Sequence, residues 1–533
     1  MANVSISKPR KRLPVTPGVF LMDDYDASTK KHNHEASPDA ALAFSTPSSC
    51  STKSSSITRN LLSRLKEEDY TTLVVCQPIC MDHHTGGHQE NRRRMAEICG
   101  PNGILLKPRF NHLRWAELDQ LKSARICDLS RVHSLEYLMH IERVCMGLPQ
   151  QNSDLNLENH FVAGQSYKEW LKTDATMKYF AESDYPALGK LDHDTALSSE
   201  SFKSALLAVG AVLHAVDKVV QGDNRNAFVV IRPPGHHAGP YGCVENDAFH
   251  EAPDTCSNGF CLLNNVAIAA AYAMSNYSTS YYSAGVSPFA EIRRVAIVDF
   301  DIHHGNGTEE IIRNLYPHYH RYPLPASWAP KSFHSYMPWR DSQDAQNVYF
   351  ASLHLHDDQV PFYPGSGKGP HGQHDLANAE NIVNIPLKRL IPHGKSPSDC
   401  STKIRKTFIE QASEEFRLKA SSILFPSLLA FNPDLILISA GFDGHVDDYY
   451  HFLTEWDYEW ITEKLVDIAD ECCCGRIVSV LEGGYNLQSH NAGKTSNIML
   501  GANFHQAVLD TEMLDYGALA RSCAAHVTAL SSN

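Results

Sequence analysis

From Thr72 onward, short runs rich in Val, Ile and Leu alternate with longer stretches of helical period, the layout of a parallel sheet covered by helices on both faces. Six runs read as strands: TLVVC from Thr72, AFVVI from Ala227, VAIV from Val295, VYFASL from Val348, LILIS from Leu435 and IVSVL from Ile477. Within 201–220, Leu206, Val209, Leu213, Val216 and Val220 recur at spacings of three and four, which predicts a helix with one apolar stripe. Gly222 supplies its stop. Further helices are predicted over 262–274, 404–430 and 456–469 and in the C-terminal segment. Two stretches, 275–292 and 316–347, lack any such period and read as insertions or long loops.

Several apolar runs end in unusual polar sequence at the same relative place. AFVVI runs into RPPGHHAG, VAIV into DFDIHHGNG, LILIS into AGFDGH and IVSVL into EGGYN. The carboxyl ends of parallel strands share one edge, where ligands bind, so these four endings are expected to meet. Side chains alternate faces along an extended chain; Asp299, Asp301 and His303 can therefore converge while His304 faces elsewhere. Asp301, His303 and Asp443 make a three-ligand set of two carboxylates and one imidazole, which suits zinc and leaves room for water, as a catalytic site requires. His236 and His237 are candidate bases. Asp299 and Asn306 are placed to orient the two imidazoles, one through a charged and one through a neutral hydrogen bond, which separates their pKa values. Two carboxylates neutralise a divalent ion, so its water is less acidic than at an all-histidine site and a neighbouring base becomes useful. Tyr485, in a Gly-Gly-Tyr turn, can aim a phenol at a polarised carbonyl oxygen. Jointly these residues point to metal-assisted amide hydrolysis.

Composition narrows the setting. With 533 residues, 43% of them hydrophobic, the chain can bury a large core, and 69–533 reads as one α/β domain carrying the two insertions. A net charge of -14 counts against a general nucleic-acid binder and tolerates a basic peptide partner. The 14 cysteines follow no framework spacing, which implies free thiols in a reducing compartment. No apolar core precedes a cleavage site and no run of 18 apolar residues occurs, so neither secretion nor a membrane span is expected. Residues 1–68, rich in Ser, Thr, Pro and charge, are expected to form a disordered, low-complexity tail. Within it, Lys8, Arg10, Lys11 and Arg12 form a short basic cluster of the kind that serves nuclear import.

The motifs RPPGHHA, GFCLLNN, DFDIHHGNGT, AGFDGH and LEGGYN, in this order, resemble the zinc-dependent histone deacetylase family from about Thr72 to the C-terminal region. Asn306 and the AGFDGH form are similar to class II members. The resemblance implies an open three-layer α/β/α fold around a central parallel eight-stranded sheet, shared with arginase. It implies one catalytic Zn2+ on Asp301, His303 and Asp443, with Tyr485 as transition-state donor and His237 as general base. His236, paired with Asp299, would act mainly electrostatically, and Asn306 would partner His237. It further implies that Phe260 and Tyr363 wall an acetyl-lysine tunnel and that the Gly259 carbonyl accepts the substrate amide hydrogen. A structural K+ would be held by Asp299, Asp301, His303, Ser352 and Leu353, largely through backbone carbonyls.

The implied activity is hydrolysis of N6-acetyl-lysine in histones or other proteins, releasing acetate and free lysine, in chromatin and transcription repression or in cytoplasmic protein deacetylation. The implied partners are acetylated histone tails or other acetylated proteins and a corepressor complex, with no direct nucleic acid and no membrane, in the nucleus and/or cytoplasm. Some positions depart from the family pattern. Tyr363 stands where Phe is usual, the HTGGHQENRRR segment follows the pattern loosely although Arg94 fits an internal-channel arginine, and the segment 243–257 is long. No residue stands out as the acid that grips substrate backbone. An acetylpolyamine amidohydrolase would instead carry an acidic gatekeeper, for which Glu245 and Asp247 are candidates, and an arginase-like two-metal hydrolase needs more metal carboxylates than the motifs supply. A catalytically silent acyl-lysine reader is disfavoured by the complete catalytic set.

Overall fold

All six predicted runs form strands, buried along nearly their whole length, because a parallel sheet covered on both faces leaves no solvent side for polar residues. The computed structural model describes residues 71–150, 161–182, 189–244, 257–278, 291–322, 331–357, 362–365, 381–392, 395–489, 513 and 515–532. The predicted tail with its basic cluster, most of the 275–292 insertion, and Glu245 and Asp247 in the 243–257 segment lie outside the described residues. In chain order the strands of the main sheet are β1 (Thr72–Cys76), β2 (Arg114–Trp115), β3 (Asn226–Val230), β4 (Val295–Asp299), β5 (Val348–His356), β6 (Ile382–Lys388), β7 (Leu435–Ala440) and β8 (Ile477–Leu481). They run in the order β6-β5-β4-β7-β8-β3-β1-β2 with every pair parallel. The α/β architecture and the eight parallel strands match expectation.

The two unpredicted strands, β2 and β6, are the edges. Edge strands have one unpaired side and need not be continuously apolar: β2 is two residues long, and β6 carries Pro386 and exposed Lys388. The strand order places the site. Chain-consecutive β3 and β4 are separated in the sheet by β8 and β7, so the four strands with polar endings are contiguous as β4-β7-β8-β3. Such a switch in strand order opens a crevice at the carboxyl edge.

Helices around the sheet include α1 (Arg93–Cys99), α2 (Leu135–Met146), α3 (Ser201–Val220), α4 (Asn265–Asn276), α5 (Asn306–Arg313), α6 (Thr402–Lys419), α7 (Phe425–Phe431), α8 (Glu455–Cys473) and α9 (Ala518–Leu530). Helices α3 and α4 pack together over β1, β3, β4, β7 and β8, whereas α8 and α9 pair as a second group against β7 and β3. The predicted helix 404–430 is broken. Pro426 has no N–H to donate into the preceding turn, and there the chain widens into a π turn, Ala420–Leu424, between α6 and α7. The predicted loop 316–347 contains an antiparallel pair, His318–Tyr322 with Lys331–Ser335, whose short, mixed strands carry no clear period. Cys243 is disulfide-bonded, against the expectation of free thiols, while every other described cysteine is free. Sequence spacing cannot show which cysteines come within bridging distance. No helix among the described residues is long and apolar enough to cross a membrane.

Helix α3 is buried far beyond its predicted stripe, with Ala205, Ala208, Gly210, Val212 and Ala215 also inside. Gly222, at φ 81, ends it as expected. A Cβ added at Gly210 would overlap the Lys122 carbonyl oxygen, so the helix approaches that backbone only because Gly stands there. Helix propensity alone would make Gly210→Ala stabilising by about 1 kcal/mol. The close approach reverses the sign: we expect a loss of about 1–3 kcal/mol, read as a lowered midpoint in chemical denaturation.

Candidate active site and metal centre

Strand β4 ends at Asp299, and the chain then bends, so the three alternating residues do not all meet at one point. Asp299 turns away to His236, with Oδ2 2.9 Å from His236 Nδ1, and its Oδ1 accepts the Asp301 N–H at 3.0 Å. Asp301 and His303 continue to a cluster completed by Asp443 from the end of β7, all three with ligand atoms within 4.8 Å of one another. His303 Nδ1 lies 3.1 Å from Asp301 Oδ1 and 2.9 Å from Asp443 Oδ2.

Three observations fit this cluster to a divalent cation. Asp443 Oδ2 is buried without a directed hydrogen bond. One ring nitrogen faces two carboxylates but can donate to only one. Cβ atoms at Gly441 and Gly483 would run into the Asp301 and Asp443 carboxylates, so the backbone is cut back around a compact acidic cradle. Without a cation, burial opposes charge on His303, yet Asp443 and Asp301 outweigh it and push its pKa up to about 9. Burial and the Asp301 charge raise the Asp443 carboxyl. The cradle thus retains a proton that a cation would replace.

The two histidines after β3 lie with ring centroids 3.9 Å apart, and both are buried. Burial would lower the pKa of His236, but Asp299 and Asp301 push it up to about 10. His237 moves the opposite way: burial, then the neighbouring His236 and His303, hold it well below the ordinary range. Its Nδ1 lies 2.8 Å from Asn306 Oδ1, an acceptor, so Nδ1 carries the proton and Nε2 keeps its lone pair. The expected separation of the pair is therefore present, set by one charged and one neutral partner.

Tyr485 follows β8 in a turn held from both sides. Asp448 Oδ2 accepts the Tyr485 N–H at 2.7 Å and the Asn486 N–H at 3.0 Å. Arg94 of α1 donates to the Gly484 carbonyl at 2.7 Å and to the Glu482 carbonyl, and its guanidinium lies 5.0 Å from the Tyr485 ring centroid. Burial raises the phenol pKa, keeping Tyr485 a donor. Behind this turn Glu90 binds Arg232 through both carboxylate oxygens, at 2.5 and 2.7 Å, and Arg94 at 3.2 Å. Arg232 precedes the double histidine, so one buried ion cluster ties the histidine and tyrosine turns together.

Aromatic rings lie beside these groups. Phe260 lies 5.7 Å from Tyr485 and Tyr363 5.0 Å from His237, between ring centroids. Phe260 has φ 70, a left-handed conformation costly for a residue with a side chain, and Gly259 beside it has φ 51. The Gly259 carbonyl accepts the Cys261 thiol at 3.4 Å. The Tyr363 hydroxyl donates to the Ser257 carbonyl at 2.7 Å, so it is committed to neighbouring backbone. The five residues expected around potassium lie on neighbouring β4 and β5 and the bend after β4, with Asp299 and Ser352 paired in register.

Sequence reasoning missed several neighbours. Phe362 stacks on His303 at 5.1 Å, Tyr450 meets it edge-on at 4.7 Å, and Glu482 accepts the Gly235 N–H at 2.7 Å. Asp192 accepts the Asn258 N–H at 2.8 Å, and half-exposed Asp194 stands 3.8 Å from His88, whose ring abuts Phe260. Glu482 lies inside the LEGGYN motif and Asp448 inside DGHVDD, but nothing in one sequence distinguishes them from solvated acids.

Residues 88–499 match the sequence model of the histone deacetylase domain. The type-2 histone deacetylase 2 of Dictyostelium discoideum is 31% identical over 457 residues, 83% of this chain and 21% of that protein. Histone deacetylase 6 of Caenorhabditis elegans is 32% identical over 339 residues, 63% of this chain and 27% of the relative. The chain thus spans only about a fifth to a quarter of these relatives' length. Among solved structures, the HD domain of HDA15 shares the fold, with TM-score 0.51 and 21% identity over 86% of this chain and 89% of that one.

The ion cluster behind the site gives a pH test. Burial would raise the Glu90 carboxyl, but Arg232 outweighs it and holds the pKa down to about 2, against an ordinary 4.5. A depressed acid pKa means stabilisation that is complete above the ordinary value and lost as pH falls through the folded one. Glu90→Gln is therefore expected to cost about 3–5 kcal/mol at neutral pH, because Arg232 stays buried and unpaired. In urea denaturation the gap between wild type and variant should narrow from about pH 4.5 toward pH 2. A gap independent of pH would mean that the charge on Glu90 contributes nothing.

Proposed function

The chain belongs to the histone deacetylase family, and from that premise we propose that it is a zinc-dependent protein lysine deacetylase cleaving N6-acetyl-lysine to acetate and free lysine. The observation that carries the reading is the meeting of Asp301, His303 and Asp443 with one charged and one neutral histidine and the Tyr485 turn, inside an aromatic wall. Two carboxylates and an imidazole suit zinc among the divalent ions, and when bound there it would supply Lewis acidity toward the amide carbonyl.

The chain's own residues account for the proton movements. His237 is neutral with Nε2 free, so it takes the proton from an attacking water and passes it to the leaving lysine nitrogen. His236, held as an imidazolium by Asp299, supplies positive charge as the carbonyl oxygen becomes negative. Tyr485 donates its phenolic hydrogen bond to that oxygen, a contribution of about 2.7–4 kcal/mol for one such donor. Phe260, Tyr363, Phe362 and Tyr450 offer apolar faces to an uncharged acyl-lysine and exclude competing water. The carboxylate of Asp194 at the rim is the described group best suited to grip substrate backbone N–H groups. Acetylated histone tails or other acetylated proteins are the substrates this reading favours, since the acidic chain tolerates basic peptides. A structural potassium ion beside β4 and β5, a corepressor complex and a nuclear or cytoplasmic setting belong to the same proposal.

The test is an acyl-lysine peptide library assayed beside acetyl-polyamines, with zinc content measured on the same sample. Turnover of acetyl-lysine peptides, block by a hydroxamate chelator and a loss of about 10²–10³ in kcat on Tyr485→Phe are expected. No turnover of any acyl-lysine peptide by protein holding stoichiometric zinc would sink the reading in favour of a silent reader, and a preference for acetyl-polyamines would shift the substrate class. His303→Ala should lower the zinc bound by one ion per chain relative to wild type, measured by equilibrium dialysis.

A further inference from the structure

A second set of metal-ligating groups lies beside the first, with His236 Nε2 3.9 Å from Asp301 Oδ2. His236, Cys261 and Glu482 offer a nitrogen, a sulfur and a carboxylate oxygen, all buried and within 4.8 Å of one another. They come from the turn after β3, the entry to α4 and the end of β8. We propose that these three residues form a second, inhibitory site for a soft divalent cation.

Each ligand is prepared for this. His236 Nδ1 is committed to Asp299, which leaves Nε2 as the coordinating atom; a histidine whose far nitrogen is bonded to a carboxylate is the usual oriented metal ligand. Glu482 is fixed by the Gly235 N–H at 2.7 Å and the His236 N–H at 3.3 Å, so its carboxylate is aimed before any ion arrives. The Cys261 sulfur lies within 4.8 Å of the Glu482 carboxylate and the His236 ring nitrogen; burial and the nearby carboxylates keep the thiol protonated until a cation takes the proton's place. Neutral imidazole, thiolate and carboxylate together carry the double negative charge that matches a divalent ion, and both the Cys261 thiol proton and the Nε2 proton of His236 leave to solvent on binding. Thiolate selects soft ions such as zinc and cadmium over magnesium and calcium. This donor set differs from a catalytic metal pair bridged by carboxylates.

Occupation would inhibit. It takes Nε2 of His236, whose ring lies 3.9 Å from His237, and places a cation near Asp301, whose Oδ2 is 3.9 Å from that nitrogen. The Nε2 atom of His236 is then no longer available to the reacting centre, and Asp301 stands between two ions. Binding itself does not depend on the deacetylase reading; only the inhibition does.

The experiment adds cadmium to full-length protein already holding one zinc, following bound cadmium by equilibrium dialysis, the thiolate-to-cadmium absorption in the ultraviolet, and acetyl-lysine peptide turnover. Wild type is expected to take up one more cadmium per chain than Cys261→Ser, with a matching difference in absorption, which subtracts ions on exposed cysteines such as Cys127. Cys261→Ser and Glu482→Gln should each raise the cadmium concentration for half-inhibition about tenfold or more while retaining the first zinc. Equal stoichiometry and absorption in wild type and Cys261→Ser would overturn the site. If Cys261→Ser does not fold, Glu482→Gln carries the same comparison, and unchanged uptake and inhibition there would overturn it equally. A protein without deacetylase turnover that still shows the extra cadmium would defeat the functional reading and leave the site standing.

Discussion

Five carboxylates, those of Asp299, Asp301, Asp443, Asp448 and Glu482, are buried at one edge of one sheet, and most of the local structure compensates them. Two unit charges 4 Å apart repel by about 4 kcal/mol at an effective dielectric of 20, so such a group cannot persist unanswered. Each acid has its own answer. Asp299 has an imidazolium, Asp448 and Glu482 have backbone N–H groups, and Asp301 has the Gly483 N–H and the His303 ring. Asp443 is answered least, and it stands where a cation is needed most.

The same constraint explains why adjacent histidines behave differently. Two imidazoles at 3.9 Å cannot both be charged at small cost. A carboxylate behind one and an amide behind the other decide which holds the proton, so the identity of Asp299 and Asn306 fixes the chemical character of their neighbours across the cleft. The glycines at 441 and 483 belong to this scheme as well. They admit backbone where any side chain would push the acids apart.

Much of this was legible in the sequence because central strands advertise themselves. A strand buried on both faces must be continuously apolar, and the polar break at its end is then conspicuous, which marks His236, Asp301, Asp443 and Tyr485 as neighbours at one sheet edge. The edge strands were not legible, since β6 carries Pro386 and exposed Lys388. Asp448, Glu482 and the Glu90–Arg232 cluster were missed for a different reason: a buried acid and a solvated one look alike until their partners are known, and the partners are far away in the chain. The break at Ala420–Leu424 was signalled by Pro426 and outweighed by apolar periodicity on either side. Phe362 and Tyr450 owe their place beside His303 to tertiary approach alone.

The Tyr485 turn is held almost wholly through its main chain: Asp448 takes its N–H groups and Arg94 its carbonyls. A main-chain grip is blind to the side chain it carries. The turn is in effect a socket, in which placement and chemistry are separately encoded, and a different residue seated at 485 would arrive at the same address with different reactivity. A fold built this way can change the chemistry offered at position 485 by a single substitution, without rebuilding the backbone that carries it.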